Sequence, residues 1–269
     1  MSHFFISIDG VNLHVTEAGT GTPLLFIHGL GGPLMWQKVV EPLSIRFRVI
    51  VPALPGFGES ESASRMYTVQ EHAGILKQVL QKLGIERASV VGISYGGQVA
   101  ATLARFHPTF VERLVLVCCT GLMKAPLIVS NPLLRVFFSF IAKRFLLTNE
   151  KRLCKKGERS FYNLTNRPHD LCRKFYEQLM KPGHRDAWLN AARNSFFGGE
   201  GFKRLLSTIS TPTLILWGEN DNTVPPEHAT EFHRLIPGSR VHLFKECAHS
   251  IPLEKPEEFC GVVREFIAL

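Results

Sequence analysis

The 269-residue sequence has six cysteines but no Cys-x-x-Cys pair. Spacing therefore offers no zinc ribbon and no dithiol redox motif. A chain this long buries a sizeable core, so a disulfide framework is not expected. No apolar stretch reaches about 18 residues without a charge. The nearest, residues 126–147, is broken by Arg135, Lys143 and Arg144, which disfavours a spanning helix. The first ten residues lack a basic region leading into an apolar run. No signal peptide is read there, and a cytoplasmic protein is expected. No Lys/Arg block is long enough for a nucleic-acid arm. Internal repeats and low-complexity tracts are missing too. With 45% hydrophobic and 20% charged residues, disorder, collagen and coiled coil are poor readings.

What is present is uneven. The net charge is +8, and residues 121–200 hold 15 Lys+Arg against 6 Asp+Glu. The remainder is almost balanced, with 16 basic and 17 acidic residues. One segment thus carries the whole excess. Such a segment attracts an anionic substrate, partner or membrane surface, or it is a solvated face that keeps the chain soluble.

Residues 3–17 alternate around Asp9-Gly10, which reads as an antiparallel hairpin. Short apolar runs follow at 24–27, 47–51, 88–91, 114–118, 214–217 and 240–244. These suit a parallel sheet covered on both faces. Between them lie helical periods, clearest at 69–83, which ends on Gly84, and at 257–269 after Pro256. The fold class is α/β, a mostly parallel doubly wound sheet built from right-handed crossovers. Residues 121–206 break the rhythm: they offer no strand run and are punctuated by Pro126, Pro132, Pro168 and Pro182. They read as a helical insertion, leaving 1–120 and 207–269 as the core domain.

Gly92-Ile93-Ser94-Tyr95-Gly96 fits G-x-S-x-G, with a strand pattern before it and a helical one behind. That context places Ser94 on a sharp turn with its hydroxyl exposed above the sheet. His28-Gly29-Leu30-Gly31-Gly32 follows directly on the strand at 24–27. Its glycines let backbone approach a carbonyl oxygen, so the N–H groups of Leu30 and Tyr95 are the candidate oxyanion donors. His28 is expected to brace this loop. No Gly-Lys-Ser/Thr follows, which excludes a Walker A loop.

Ser94 needs a base, and the base needs an orienting carboxylate. Asp221 and His249 each lie just beyond a strand, on the edge where open α/β sheets bind ligands. The order Ser…Asp…His suits this architecture. Glu219 and Glu246 are competing acids, and Glu219 is expected to help hold the loop.

These residues resemble the α/β-hydrolase superfamily over nearly the whole chain outside the insertion. The likeness rests on His28-Gly29, Leu54-Pro55-Gly56-Phe57-Gly58-Glu59-Ser60, the turn at Ser94, Trp217-Gly218-Glu219-Asn220-Asp221, and His249 with Glu254-Lys255-Pro256-Glu257-Glu258-Phe259. It implies a cap domain over the active site and a mechanism with no metal and no cofactor. Two positions depart from the family pattern. Ala53 stands where Asp is common, and Ala248 stands where Gly often precedes the histidine. Serine at 94 argues against the dehalogenases and epoxide hydrolases of the superfamily, which use aspartate there.

The expected reaction is hydrolysis of small to medium, largely apolar carboxylic esters through an acyl-enzyme. The expected partner is a small-molecule ester. Nucleic acid is not expected, and the oligomeric state is open. Apolar residues cover much of the helix around 133–145, and Phe137 and Phe138 there, with Trp36 and Trp188, are candidate pocket residues. The same helix, basic and amphipathic, also suits weak association with an anionic membrane surface. A serine C–C bond hydrolase of anionic meta-cleavage diketo acids is the alternative chemistry. Ser250 weighs against it, since such enzymes commonly carry Trp after the histidine. A slow-turnover ligand receptor of the same fold is a third reading.

Overall fold

The computed structural model describes residues 1–127, 131–196 and 198–269; the side chains of residues 132, 133, 135 and 137 lie outside the described set. Asp9 and Gly10 both take positive φ, 49° and 81°, as a two-residue hairpin turn requires. The chain reverses there between β1 (Ser2–Ile8) and β2 (Val11–Ala18), paired antiparallel from Ser2–Glu17 to Ile8–Val11. β3 (Thr22–Ile27), β4 (Phe47–Pro52), β5 (Ala88–Ile93), β6 (Val111–Val117), β7 (Thr213–Gly218) and β8 (Arg240–Phe244) complete one sheet. Its order is β1-β2-β4-β3-β5-β6-β7-β8. β2 joins β4 antiparallel, and every pairing from β4 to β8 is parallel.

The apolar runs become strands for a physical reason. β5 and β7 are buried at every position, so neither face of the central sheet meets water and both faces must be apolar. β8 corrects the expectation of a buried strand: only Phe244 is buried, and Val241 and Leu243 are 38% and 45% exposed. It is the last strand, paired on one side only.

Helices cover both faces. α1 (Val40–Ser44) is short. α2 (Val69–Lys82) starts in a capping box, in which Thr68 accepts from the Glu71 N–H while Glu71 accepts from the Thr68 N–H. It buries Ile75, Leu76, Val79 and Leu80 and ends where Gly84 takes φ 66°. α3 (Tyr95–Phe106) is buried from Tyr95 through Ala104, packed between α2 and the β5–β6 face. α9 (Glu227–Leu235), α10 (Ile251–Glu254) and α11 (Pro256–Ala268) close the chain.

Between β6 and β7 run α4 (Pro132–Ile141), a π-helical turn (Ala142–Leu146), α5 (Glu150–Glu158), α6 (Leu171–Leu179), α7 (His184–Asn194) and α8 (Gly199–Leu206), with no strand among the described residues. Several hydrogen bonds fasten this segment to loops of the core domain. Asn190 and Asn194 both donate to the Tyr67 carbonyl, at 2.6 and 2.9 Å. Lys38 Nζ donates to the carbonyls of Asn166 and Leu253.

One bond corrects the cysteine reading. Cys154 on α5 and Cys172 on α6 form a disulfide across a Cα–Cα distance of 5.5 Å. The two helices pack together, which brings residues 18 apart into reach. Closing a loop of that size stabilises by about 3 kcal/mol in the chain-entropy account. The other four cysteines are free and buried. Among the described residues no helix is long and apolar enough to cross a membrane.

Candidate active site

Parallel pairing gathers the C-terminal ends of β3, β5, β6, β7 and β8 on one edge, and each is followed by a candidate residue or its neighbour. Ser94 follows β5 and caps α3 with φ 56° and ψ −121°. A serine holds that conformation only when its surroundings impose it, at a cost of order 1–3 kcal/mol. Here its N–H donates to the Val117 carbonyl at 2.8 Å, and its carbonyl accepts from Gly97 and Thr120. The glycines of the motif serve close approach. A Cβ on Gly92 would stand 2.3 Å from the Gly96 carbonyl oxygen, and one on Gly96 would stand 2.2 Å from that of Ile27.

The loop after β3 lies against the serine: a Cβ on Gly29 would meet Ser94 Cβ at 2.8 Å. His28 is fully buried and spends both ring nitrogens on backbone. Nδ1–H donates to the Gly29 carbonyl at 2.8 Å, and Nε2 accepts from the Leu54 N–H at 3.0 Å. Burial pushes its pKa down to about 4, so the imidazole is neutral and braces the loop rather than carrying protons. Among the described residues, the N–H groups of Leu30 and Tyr95 have no protein acceptor. Tyr95 is anchored at its other end by a 2.8 Å hydrogen bond between Oη and His72 Nδ1.

Asp221 and His249 meet. His249 Nδ1 donates to Asp221 Oδ2 at 2.7 Å, and both residues are buried. Asp221 Oδ1 accepts from the N–H groups of Thr223 and Val224, at 2.7 and 2.9 Å. Burial raises the Asp221 pKa, but attraction to His249, its hydrogen bond and the two backbone donors outweigh that, holding it below the ordinary carboxylate range. Gly218 is needed below this turn, since a Cβ there would stand 2.1 Å from the Ala248 carbonyl oxygen. Glu219 is exposed; its N–H, rather than its side chain, ties the loop by donating to the Phe244 carbonyl. Glu246 is exposed as well.

The four candidate pocket residues separate. Trp188 on α7 donates from Nε1 to the Leu30 carbonyl at 3.1 Å, so the helical segment grips the loop that carries a candidate oxyanion donor. Phe138 is half-buried on α4, and the Phe137 side chain lies outside the described residues. Trp36 is not brought to the site. It is fully buried in the core between Phe26 and Phe259, at ring distances of 4.6 and 6.2 Å. It closes the 3-10 turn Pro33–Trp36, which turns its ring into the core rather than toward the site.

The roles of two residues escaped the sequence reading. Cys118 follows β6 at φ 43° and is fully buried beside Asp221. Cys118, Asp221 and His249 place ligand-type atoms within 4.8 Å of one another. The 2.7 Å gap between Asp221 and His249 is filled by a hydrogen bond, which a metal there would have to displace. Glu254 is the second. Its buried carboxylate accepts from the Ala248 N–H at 2.9 Å and from the N–H groups of Tyr162 and Asn163 at 2.7 and 3.2 Å. It therefore ties the His249 loop to the helical segment. Glu254→Ala strands three backbone donors, and urea unfolding is expected to show a loss of about 2–4 kcal/mol. Glu254→Gln, which keeps one acceptor oxygen, is expected to lose less. Equal stability of Glu254→Ala and the parent would show that water replaces the carboxylate.

An eight-stranded sheet with a strand–turn–helix elbow on its ligand-binding edge is the architecture of α/β hydrolases. The chain belongs to the alpha/beta hydrolase fold family, whose model matches residues 22–256. It is 30% identical over 273 residues to the uncharacterized hydrolase YugF of Bacillus subtilis, covering 97% of this chain and 96% of that one. It is 28% identical to the 2-hydroxy-6-oxo-2,4-heptadienoate hydrolase of Pseudomonas putida, over 96% and 94% of the two chains. A thermophilic esterase from Thermogutta terrifontis, solved with malate bound, superposes with a TM-score of 0.84 at 27% identity, covering 100% of this chain and 98% of that one.

Proposed function

We propose that the chain is a serine hydrolase of carboxylic esters working through an acyl-enzyme. The observation that carries this reading is the buried Asp221–His249 pair at 2.7 Å, on the sheet edge that also holds Ser94 in a strained turn. In the proposed cycle His249 takes the proton of Ser94 Oγ as that oxygen attacks the ester carbonyl. The N–H groups of Leu30 and Tyr95 hold the oxyanion, and Asp221 stabilises the imidazolium. The imidazolium then gives its proton to the leaving alkoxide, and the C–O bond breaks. Water, deprotonated by His249, attacks the acyl-enzyme, and the proton returns to Ser94 as the acid leaves. Residues 121–206 act as the cap over this edge, with Trp188 fixing the Leu30 loop.

Similarity to the Pseudomonas putida hydrolase, together with the basic excess in residues 121–200, supports C–C bond hydrolysis of an anionic diketo acid as the second reading. A parallel assay separates the two. p-Nitrophenyl esters of increasing acyl length and 2-hydroxy-6-oxo-2,4-heptadienoate are offered to the same preparation. Faster turnover of the esters, with an optimum at small to medium acyl length, is expected. Faster turnover of the diketo acid would replace the ester reading, and turnover of neither would overturn both.

A further inference from the structure

α4, the π-helical turn and α5 follow one another along the chain, and among the described residues they expose apolar side chains on the first two and basic ones on the last two. Val136 and Phe140 stand four residues apart and so share one face of α4; they are 68% and 64% exposed. Phe145 continues the patch at 55%, with the Arg144 guanidinium 5.4 Å from its ring centre. A soluble chain that leaves large side chains open in a cluster is presenting an interaction surface.

The neighbouring charges say what kind of partner fits. Several cations of the helical segment are neutralised. Lys143 pairs with Asp186, Arg173 with Glu177, Lys174 with Asp170 and Lys181 with Glu59. On α5, Lys151, Arg152, Lys155 and Lys156 are exposed, and among the described residues none forms an ion pair. A second copy docking by two-fold symmetry sets like patches against each other and would juxtapose these unpaired cations. A nucleic acid would use the lysines but leave the aliphatic and aromatic side chains in water. A bilayer with anionic headgroups satisfies both sets: apolar side chains enter the boundary between headgroups and acyl chains while Lys and Arg meet the phosphates.

We propose that this face docks the protein on an anionic lipid surface. The docking is independent of which bond the active site cleaves. Flotation of the full chain with vesicles tests it, using phosphatidylcholine alone and an equal mixture of phosphatidylcholine and phosphatidylglycerol. Recovery with the mixed vesicles is expected to exceed that with phosphatidylcholine by about tenfold and to fall in high salt, as screening of surface charge requires. V136E/F140E, which keeps every charge on α5, is expected to abolish flotation with an unchanged thermal midpoint. K155E/K156E is expected to reduce it severalfold. Equal recovery with both vesicle types, or flotation indifferent to V136E/F140E, would overturn the proposal. So would a wild-type dimer in sedimentation that V136E/F140E converts to monomer, because a second copy would then be the occupant.

Discussion

Ser94→Ala is expected to lower kcat on the best ester by roughly 10⁴- to 10⁶-fold. Each factor of ten is about 1.4 kcal/mol of barrier, so the loss is about 5–8 kcal/mol. The reason is that covalent attack disappears and water must react directly. The backbone donors of Leu30 and Tyr95 remain, so the residual rate should still exceed that in buffer. His249→Ala is expected to cost a similar amount, and the double variant little more than either alone, because serine and base act as one unit. Stability separates chemistry from folding. Removing one hydroxyl should leave the unfolding midpoint of Ser94→Ala nearly unchanged, since the residue keeps φ 56°. Ser94→Gly removes the strained Cβ and is expected to be inactive yet more stable, by about 1 kcal/mol after the entropy glycine adds to the unfolded chain. Ester turnover by Ser94→Ala within about tenfold of the parent would remove this serine from the chemistry.

Much of the arrangement at this sheet edge is legible in the sequence. The Asp9-Gly10 turn, the strands and α2 were readable because each rests on a local rule of period or turn chemistry. The glycines flanking Ser94 were readable because backbone contacts leave no room for a side chain. What stayed hidden depends on pairs of side chains far apart in the chain. Glu254 reaches residues 91 and 92 positions away, and no spacing announces it. Cys118 looks like any strand-end residue until β6 and β7 pair and bring it to Asp221. The Cys154–Cys172 bond follows from how α5 packs on α6. The inward turn of Trp36 and the open outer edge of β8 are likewise outcomes of packing.

Acid sensitivity of the fold is expected to begin near pH 6.5, well before carboxylates titrate. His28 and His72 are buried, and burial lowers their pKa values to about 4 and about 3. The unfolded chain binds these protons near 6.5. Below that pH the unfolded state therefore holds more protons than the native state, and stability falls as pH falls. The contribution is complete above 6.5 and is lost progressively toward the folded values. Each histidine gives a slope of up to about 1.4 kcal/mol per pH unit in this window, so the pair gives roughly 2.7. Against a total stability of about 5–15 kcal/mol, one to two units of acidification is a large fraction. Asp221 does not add to this early loss, because its pKa lies below the ordinary carboxylate range and its contribution fades only at lower pH. The test is the urea midpoint from pH 7.5 to 4.5. His72→Gln is expected to remove about half the slope, and a flat midpoint down to pH 5 would show that neither histidine is held neutral. Protonation of native His28 would also reach the active site through geometry. His28 accepts from the Leu54 N–H through Nε2, and a protonated ring cannot accept. The loop carrying Leu30 then loses its brace, so the ester turnover of the folded protein should decline through this route only as the pH approaches about 4, below the range where stability first falls.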